Sequence, residues 1–196
     1  MLLKKGVILT IAAASIFAFQ AKEASANSIH TVKEGDTLWN IGKEYGVSVV
    51  DLKNVNQLES TIIYPGQQFT LPSSISSEER QLLAQLVHAE AKGEPYAGKV
   101  AVATVVLNRV DHKDFPDSVK EVIYQKANGH YAFTPVQTGT INERANSEDY
   151  EAVDEALAFN GQGKGSVFFY NPDTSSSKWI FSRQTTLTIG NHVFAK

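Results

Sequence analysis

Glu90 occupies the position in this sequence that most favours acid–base chemistry. It lies four residues after Leu86, three after Val87 and seven after Leu83, so on a helix it continues an apolar stripe. It also comes shortly before Gly93, which ends a helix, and the helix dipole disfavours a carboxylate there. Desolvation and the dipole both raise the pKa of such a carboxyl group. A carboxyl that stays protonated near neutral pH can donate a proton to a glycosidic oxygen. A surface glutamate in a fraying last turn is the alternative.

Glu94 follows four residues later, beyond the glycine that ends the helix. Two carboxyl groups close together form the acid–base pair of many glycosidases. Because Gly93 separates the two, the direction of the Glu94 side chain does not follow from the sequence. A capping role, or an ion pair with a residue such as Arg109, is the alternative that we favour.

The composition excludes several other kinds of catalytic site. Cysteine is absent, which removes thiol nucleophiles, zinc ribbons and iron–sulfur clusters. The five histidines lack the spacing of metal ligands, and no G-x-S-x-G motif occurs. Residues 88–90 match only the first half of the zinc deaminase signature, whose second half requires cysteines. The sequence therefore predicts neither a metal site nor a cofactor.

The helix that would carry Glu90 opens a segment in which helices precede strands. Ser76 or Ser77 caps this helix, and the next one, at 96–110, is apolar nearly all round and should be the buried central helix. Two more helices are predicted at 116–124 and 147–160. Short β-rich runs then follow at 167–170, 179–181, 187–189 and 192–194. This order predicts an α+β domain.

A smaller segment precedes this domain. Strands are predicted at 29–32 and 68–71, and helices from Asp36 or Thr37 to 45 and from 49 to 56, which gives the order β-α-α-β. The serine-rich stretch at 73–77 is predicted to be an extended, mobile linker.

The first 26 residues have the features of a secretory signal peptide. Two lysines precede an apolar stretch at 6–21, and Ala24-Ser25-Ala26 forms a small-residue cleavage site. The apolar stretch is short for a bilayer span, which needs about 20 residues, so an uncleaved anchor is the less favoured alternative. We expect a secreted protein without stable membrane insertion. The net charge of −3, without a Lys/Arg cluster beyond the signal peptide, argues against nucleic-acid binding.

The first segment resembles the LysM module. The resemblance is carried by TVKEGDTLWNI at 31–41, by Asn54-Val55-Asn56 and by IYPGQ at 63–67. It implies binding of N-acetylglucosamine-containing glycans in a groove between the loops at 35–38 and 62–66. The implied glycan-binding residues are Gly35, Asp36, Thr37, Leu38, Ile63, Tyr64 and Pro65. The alternative is a module that folds and acts only as a spacer, without binding glycan.

The second segment is similar to the catalytic domain of the SleB/CwlJ cell wall hydrolases, the family of the spore cortex-lytic enzymes. The matching runs are HAEAKGEPYAG at 88–98 and VAVATVVLNRV at 100–110, and the remaining matches follow in family order. These are Phe115-Pro116, Val122-Ile123-Tyr124, Ala132-Phe133-Thr134-Pro135-Val136, Phe169-Tyr170-Asn171-Pro172 and Trp179.

The resemblance implies a lysozyme-like α+β fold and cleavage of the bond between N-acetylmuramic acid and N-acetylglucosamine. Glu90, the first glutamate of the A-E-A-x-G-E motif, would be the catalytic acid. In a lytic transglycosylase it would then act as base while the muramic hydroxymethyl group closes an anhydro ring. The implied substrate-binding residues are Glu94, Tyr96, Phe133, Thr134, Tyr170, Asn171 and Trp179.

The predicted organisation is thus a signal peptide (1–26), a LysM domain (27–72), a linker (73–77) and a cell wall hydrolase domain (78–196). The expected protein is a monomeric, cell-wall-associated peptidoglycan glycosidase whose partners are glycan strands. The sequence does not distinguish attack by water from attack by the intramolecular hydroxyl group. It also leaves both spore cortex and ordinary wall as substrates, because SleB itself carries a different wall-binding region. The alternative function is a non-catalytic, LysM-anchored wall-binding protein. A wall amidase or peptidase would need a metal site or a cysteine.

Overall fold

The computed structural model describes residues 28–127 and 129–196, and the predicted signal peptide with its cleavage site lies outside them. The N-terminal module has the predicted order β-α-α-β. Its elements are β1 (Ile29–Thr31), α1 (Leu38–Tyr45), α2 (Val49–Val55) and β2 (Gln68–Thr70). The two strands pair antiparallel, with Ile29 opposite Thr70. Among the described residues, no helix is long and apolar enough to cross a membrane.

Local signals set the ends of the helices in this module. The Thr37 hydroxyl accepts a hydrogen bond from the Asn40 amide at the start of α1, and Gly46 ends that helix with a φ of 62°. Ser48 caps α2 in the same way. A small apolar core lies between the helices and the strands. Its buried members are Val32, Leu38, Ile41, Leu52, Phe69 and Leu71.

The C-terminal module is an α+β domain, as predicted. Its helices are α3 (Ser77–Glu90), α4 (Tyr96–Val110), α5 (Val119–Tyr124), α6 (Thr134–Thr138) and α7 (Ser147–Phe159). Its strands are β3 (Lys126–Ala127), β4 (His130–Tyr131), β5 (Phe168–Tyr170), β6 (Thr185–Ile189) and β7 (His192–Ala195). β3 pairs with β4, and the other three strands form an antiparallel sheet in the order β5-β7-β6. Ser76 caps α3 in a reciprocal capping box with Glu79.

One predicted β-rich run does not form a strand, and three elements of the structure were not predicted. Residues 179–181 do not form a strand, because Ile180–Ser182 is a 3-10 helix that buries Ile180 and is closed by the Ser182 hydroxyl donating to the Trp179 carbonyl. The β3–β4 hairpin, the short helix α6 and a 3-10 helix at Thr140–Asn142 were not predicted. All three elements are too short to show a hydrophobic period.

The two modules pack against each other through α1 and α7. The Ser48 hydroxyl donates a hydrogen bond to the Asn160 carbonyl at 3.0 Å. Gly42 allows the close approach, because a Cβ added there would lie 3.2 Å from the Cβ of Ala158 and 2.8 Å from the carbonyl oxygen of Val47. The contact therefore combines backbone proximity with hydrogen bonding.

The connecting segment also contacts both modules. The Ser74 hydroxyl donates to the Gly46 carbonyl at 2.7 Å, and Ile75 packs against the core of the C-terminal module. These contacts argue against the free movement that the serine-rich composition predicted. The domain boundaries themselves stay a prediction.

Candidate active site

Glu90 is the last residue of α3, and its side chain is half-buried. Among the described residues, no hydrogen bond or ion pair within 4 Å engages its carboxyl group. Burial raises the pKa of Glu90 from 4.5 to about 7, against the opposing charge of Arg109. A carboxyl with such a pKa is about half protonated at neutral pH and can both give and take a proton, which suits a group that serves first as acid and then as base.

Arg109 of α4 supplies the positive charge that acts on Glu90. It is buried, and its Nε donates to the Val167 carbonyl at 2.7 Å. Its guanidinium lies over the rings of Phe133, Phe115 and Phe168 at 4.9, 5.1 and 5.8 Å from their centroids. Burial lowers the pKa of Arg109 to about 10 despite the charge of Glu90. This cation in apolar surroundings favours the carboxylate that Glu90 becomes after giving up its proton.

Both carboxylate oxygens of Glu94 accept hydrogen bonds from a turn of the protein. Its Oε2 accepts from the backbone amide of Asn191 and its Oε1 from the side-chain amide, both at 3.0 Å. This joins the start of α4 to the β6–β7 turn. A Cβ added at Gly190 would collide with the Glu94 carboxylate. The structure therefore favours a structural role for Glu94 over the predicted role in substrate binding. Among the described residues, Glu94 forms no ion pair with Arg109.

Replacing Glu94 by alanine is expected to lower the free energy of unfolding by about 1–3 kcal/mol, because two hydrogen bonds to a charged group are lost. Glycan cleavage should stay within tenfold of the unchanged protein, with the same products. Thermal unfolding and a reducing-end or muropeptide assay measure the two effects. Loss of cleavage with unchanged stability would instead place Glu94 in the reaction.

Two of the predicted substrate-binding aromatic residues, Phe133 and Tyr96, make contacts within the protein. Phe133 is 2% exposed, and its ring lies under Arg109 and beside Phe169, so its side chain offers little surface to a substrate. The Tyr96 hydroxyl donates to Glu155 of α7 at 2.9 Å, and burial with this bond raises the pKa of Tyr96. Tyr96 therefore ties α4 to α7.

The other four predicted substrate-binding residues keep exposed or half-exposed surfaces. Trp179 is 53% exposed, with its ring edge-on to Phe168 at 5.1 Å. Thr134 is exposed at the start of α6, and Tyr170 lies against Phe181 at 5.3 Å. The side-chain carbonyl oxygen of Asn171 accepts a hydrogen bond from the backbone amide of Asp173. Phe168, which the sequence analysis did not single out, links Trp179 to Arg109, so aromatic surface runs from this buried cation to the solvent.

A buried charge network fixes the helix that carries Glu90, and the sequence analysis missed it. Asp149 of α7 is fully buried and accepts hydrogen bonds from His88 Nδ1 at 2.8 Å and Lys99 Nζ at 2.7 Å. Lys99 also donates to Glu148 at 2.7 Å. The only local signal was the capping box of Asn146 and Asp149 at the start of α7. The partners on α3 and α4 are distant in sequence.

In the N-terminal module, three of the predicted glycan-binding residues have structural roles. Leu38 is 3% exposed and packs in the module core, so its side chain offers little surface to a glycan. Thr37 caps α1. Asp36 accepts from the Lys33 amide and from His30 Nε2, both at 2.8 Å, and these bonds hold the pKa of Asp36 below its usual value.

The remaining predicted groove residues lie on or near the module surface. Tyr64 is 63% exposed and Pro65 is exposed beside it, while Ile63 packs on the module core. Gly35 has a φ of 89°, which the turn before α1 requires. Ile62, which lies in the same predicted loop, is 66% exposed and adds apolar surface beside these residues.

Comparisons with known proteins agree with this division. The Cell Wall Hydrolase family profile matches residues 93–195, just over half of the chain, and begins three residues after Glu90. The LysM domain profile matches residues 30–72. The catalytic domain of the germination-specific lytic transglycosylase SleB from Bacillus anthracis has a similar structure. The TM-score is 0.58 at 39% identity, over 64% of this chain and 99% of that one.

Two curated relatives match a similar share of the chain. The spore cortex-lytic enzyme of Halalkalibacterium halodurans is 42% identical over 124 residues, which is 63% of this chain and 36% of that protein. The spore cortex-lytic enzyme of Bacillus subtilis is 40% identical over 126 residues, 64% of this chain and 40% of that protein. The chain thus spans less than half the length of these relatives. With the family profile, these similarities show that the chain belongs to the cell wall hydrolase family.

Proposed function

We propose that this protein is an exported peptidoglycan-degrading enzyme that cleaves the bond between N-acetylmuramic acid and N-acetylglucosamine as a lytic transglycosylase. The observation that carries the proposal is the half-buried Glu90 carboxyl, whose pKa of about 7 suits proton donation at neutral pH. Membership of the cell wall hydrolase family and the similarity to a lytic transglycosylase domain support the reaction class.

In the proposed reaction Glu90 is the only group that moves protons. Its carboxyl gives a proton to the oxygen that leaves with N-acetylglucosamine, and the glycosidic bond breaks. The resulting carboxylate then takes the proton of the muramic hydroxymethyl group while that oxygen bonds to the anomeric carbon and closes the anhydro ring. Glu90 ends in its starting state and no water is consumed. Because Arg109 favours the carboxylate, it supports the first half of this cycle, in which Glu90 gives up its proton.

We propose that the glycan lies along the exposed aromatic surface at Trp179 and Tyr170, with Thr134 and Asn171 as hydrogen-bonding neighbours. Flat apolar rings with polar edges are suited to sugars, which have apolar faces and hydroxyl rims. Glu94, by contrast, is proposed to hold the β6–β7 turn.

The non-catalytic alternative is disfavoured by Glu90 itself. Keeping a carboxyl group half-buried without a protein partner destabilises the fold, and a domain that only anchors the chain gains nothing from it. We further propose wall association after export, with a role in cortex hydrolysis during germination or in wall remodelling. A monomeric state stays a prediction.

Product analysis tests the proposal. The purified protein and a Glu90→Gln variant are incubated with cortex and with vegetative peptidoglycan, and released muropeptides are analysed by mass spectrometry. Anhydro-muramic ends that depend on Glu90 are expected. Reducing muramic ends would mean hydrolysis by water. Binding without release from either wall would sink the catalytic proposal and favour the anchoring one.

We propose that the LysM groove retains the protein on the wall through Tyr64. Replacing Tyr64, which is 63% exposed, by alanine is expected to weaken binding to insoluble peptidoglycan at least tenfold without changing thermal unfolding. Co-sedimentation measures the binding, and Tyr124→Ala is a matched control, since Tyr124 is 42% exposed in the other module. Equal binding by both variants would show that Tyr64 does not contribute to binding of the wall.

A further inference from the structure

A cleft of about 530 Å³ lies between the two modules, apart from the proposed catalytic site and the LysM groove. Trp39 of α1 lines it from the N-terminal module, Ala97 and Ala101 of α4 line it from the other, and Leu187 of β6 contributes a further apolar surface. This volume falls within the range of about 300–1,000 Å³ that small-molecule sites occupy. None of the proposed catalytic residues takes part in it.

Trp39 has no role in the core of its own module. The preceding residue, Leu38, is 3% exposed and belongs to that core, whereas Trp39 points to the adjoining face and is half-buried along the cleft. Because α1 packs closely on α7 at Gly42 and Ala158, the indole is held at the cleft that α4 also lines. The cleft is therefore preformed, with an aromatic platform on one side.

Polar acceptors at the cleft have unused bonding capacity. Asn108 donates one side-chain amide hydrogen to the Ser166 carbonyl, and Glu155 Oε2 accepts from the Tyr96 hydroxyl and lies 3.7 Å from Lys43 Nζ. Among the described residues, none donates to Asn108 Oδ1 or Glu155 Oε1. An apolar occupant would leave these oxygens without partners, whereas hydroxyl and acetamide N–H groups would satisfy them.

We propose that this cleft between the modules binds a stretch of acetamido-sugar glycan, with Trp39 as the platform for a sugar face and Asn108 and Glu155 as acceptors. The proposal rests on the proposed function, because the ligand is the same polymer that the enzyme would cut. It adds a third contact with the strand, located between the module that would hold it and the domain that would cleave it.

The charges at the cleft are partly balanced, because Glu155 Oε2 lies 3.7 Å from Lys43 Nζ and Lys164, which donates to the Thr186 carbonyl at 3.2 Å, also lines the cleft. The assignment of a neutral glycan therefore rests on the aromatic platform and on the two acceptor oxygens.

The two tryptophans of the chain allow a direct test, because Trp39 lines the cleft and Trp179 lies at the proposed catalytic site. In a Glu90→Gln, Trp179→Phe protein, Trp39 is the only tryptophan, and its fluorescence is followed while an N-acetylglucosamine hexamer is added. A saturable change is expected. It should survive Tyr64→Ala in the LysM groove and weaken at least tenfold when Ala101→Phe fills the cleft. Ala97→Phe, at an exposed cleft position, serves as a second filling variant, and thermal unfolding verifies that each is folded.

A companion Glu90→Gln, Trp39→Phe protein reports on Trp179 and keeps the two proposals separate. A response of Trp179 with a silent Trp39 would overturn the cleft and leave the enzyme proposal standing. A Trp39 response abolished by Tyr64→Ala but not by either filling variant would assign the signal to the LysM groove and also overturn the cleft. Silence of both tryptophans would overturn the cleft as well, and the muropeptide products would still decide the enzymatic proposal.

Discussion

Replacing Glu90 by glutamine is expected to lower the rate of glycan cleavage by about 10²–10⁴-fold, the usual contribution of general acid–base catalysis. Glutamine keeps the size of the side chain but can neither give nor take the proton. Activity of the unchanged protein should also fall as the pH rises through about 7, since the proposed acid then loses its proton. Initial rates on peptidoglycan between pH 5 and pH 9 measure both effects. A rate independent of pH across this window would argue against Glu90 as the acid.

The same substitution is expected to change the stability of the protein in a pH-dependent way. The pKa of Glu90 is raised in the folded state from 4.5 to about 7, so the folded state favours the neutral form. The unchanged protein should therefore lose stability as the pH rises from about 4.5 to about 7, by up to about 3 kcal/mol. The Glu90→Gln variant lacks this loss and should be the more stable of the two at pH 8.

Urea unfolding at pH 5 and pH 8 tests this difference. Glu79→Gln is a suitable control, because Glu79 lies at the opposite end of α3 and belongs to a solvent-exposed capping box. Its effect should depend little on pH over this interval. If Glu90→Gln lost stability between the two pH values as steeply as the unchanged protein, the carboxyl would be hydrated, and the physical basis of the proposed acid would fail.

The sequence predicted those parts of the fold that depend on local signals. The helix α4 has the predicted bounds because Pro95 precedes it and an apolar stretch fills it. The burial of Glu90 followed from its place on the stripe that begins at Leu83. The 3-10 helix at 180–182 was not predicted, because its aromatic and β-branched residues have the composition of a strand and only tertiary packing decides between the two.

The surroundings of the candidate site depend on long-range contacts that no local pattern encodes. Glu94 and Asn191 are 97 residues apart in sequence, so the direction of the Glu94 side chain could not be predicted. Phe133 was predicted to bind substrate from its motif. Its ring is buried because Arg109, from another helix, lies over it. The physical argument therefore identified the proposed acid, while the surroundings of that residue required the tertiary structure.

The second large expected effect concerns the network that fixes α3 against α4 and α7. Asp149 is 0% exposed and accepts from Lys99, from His88 and from the Asn146 amide. Burial alone would raise the pKa of Asp149, but these hydrogen bonds hold it below its usual value. The carboxylate is thus charged throughout the neutral range, and its stabilising effect is lost only as the pH falls below about 3.8.

Asp149→Asn is expected to lower the free energy of unfolding by about 3–5 kcal/mol, because it removes one charge of a buried ion pair and leaves Lys99 without its buried partner. Glu148→Gln is a matched control: Glu148 lies the same 2.7 Å from Lys99 Nζ, but its side chain is 55% exposed. Its loss should change the stability by about 1 kcal/mol or less, because water already screens that pair. Urea unfolding at pH 7 measures both. Similar losses for the two variants would mean that Asp149 is not isolated from solvent. A much larger loss for Asp149→Asn would show that a buried carboxylate fixes the helix that carries Glu90.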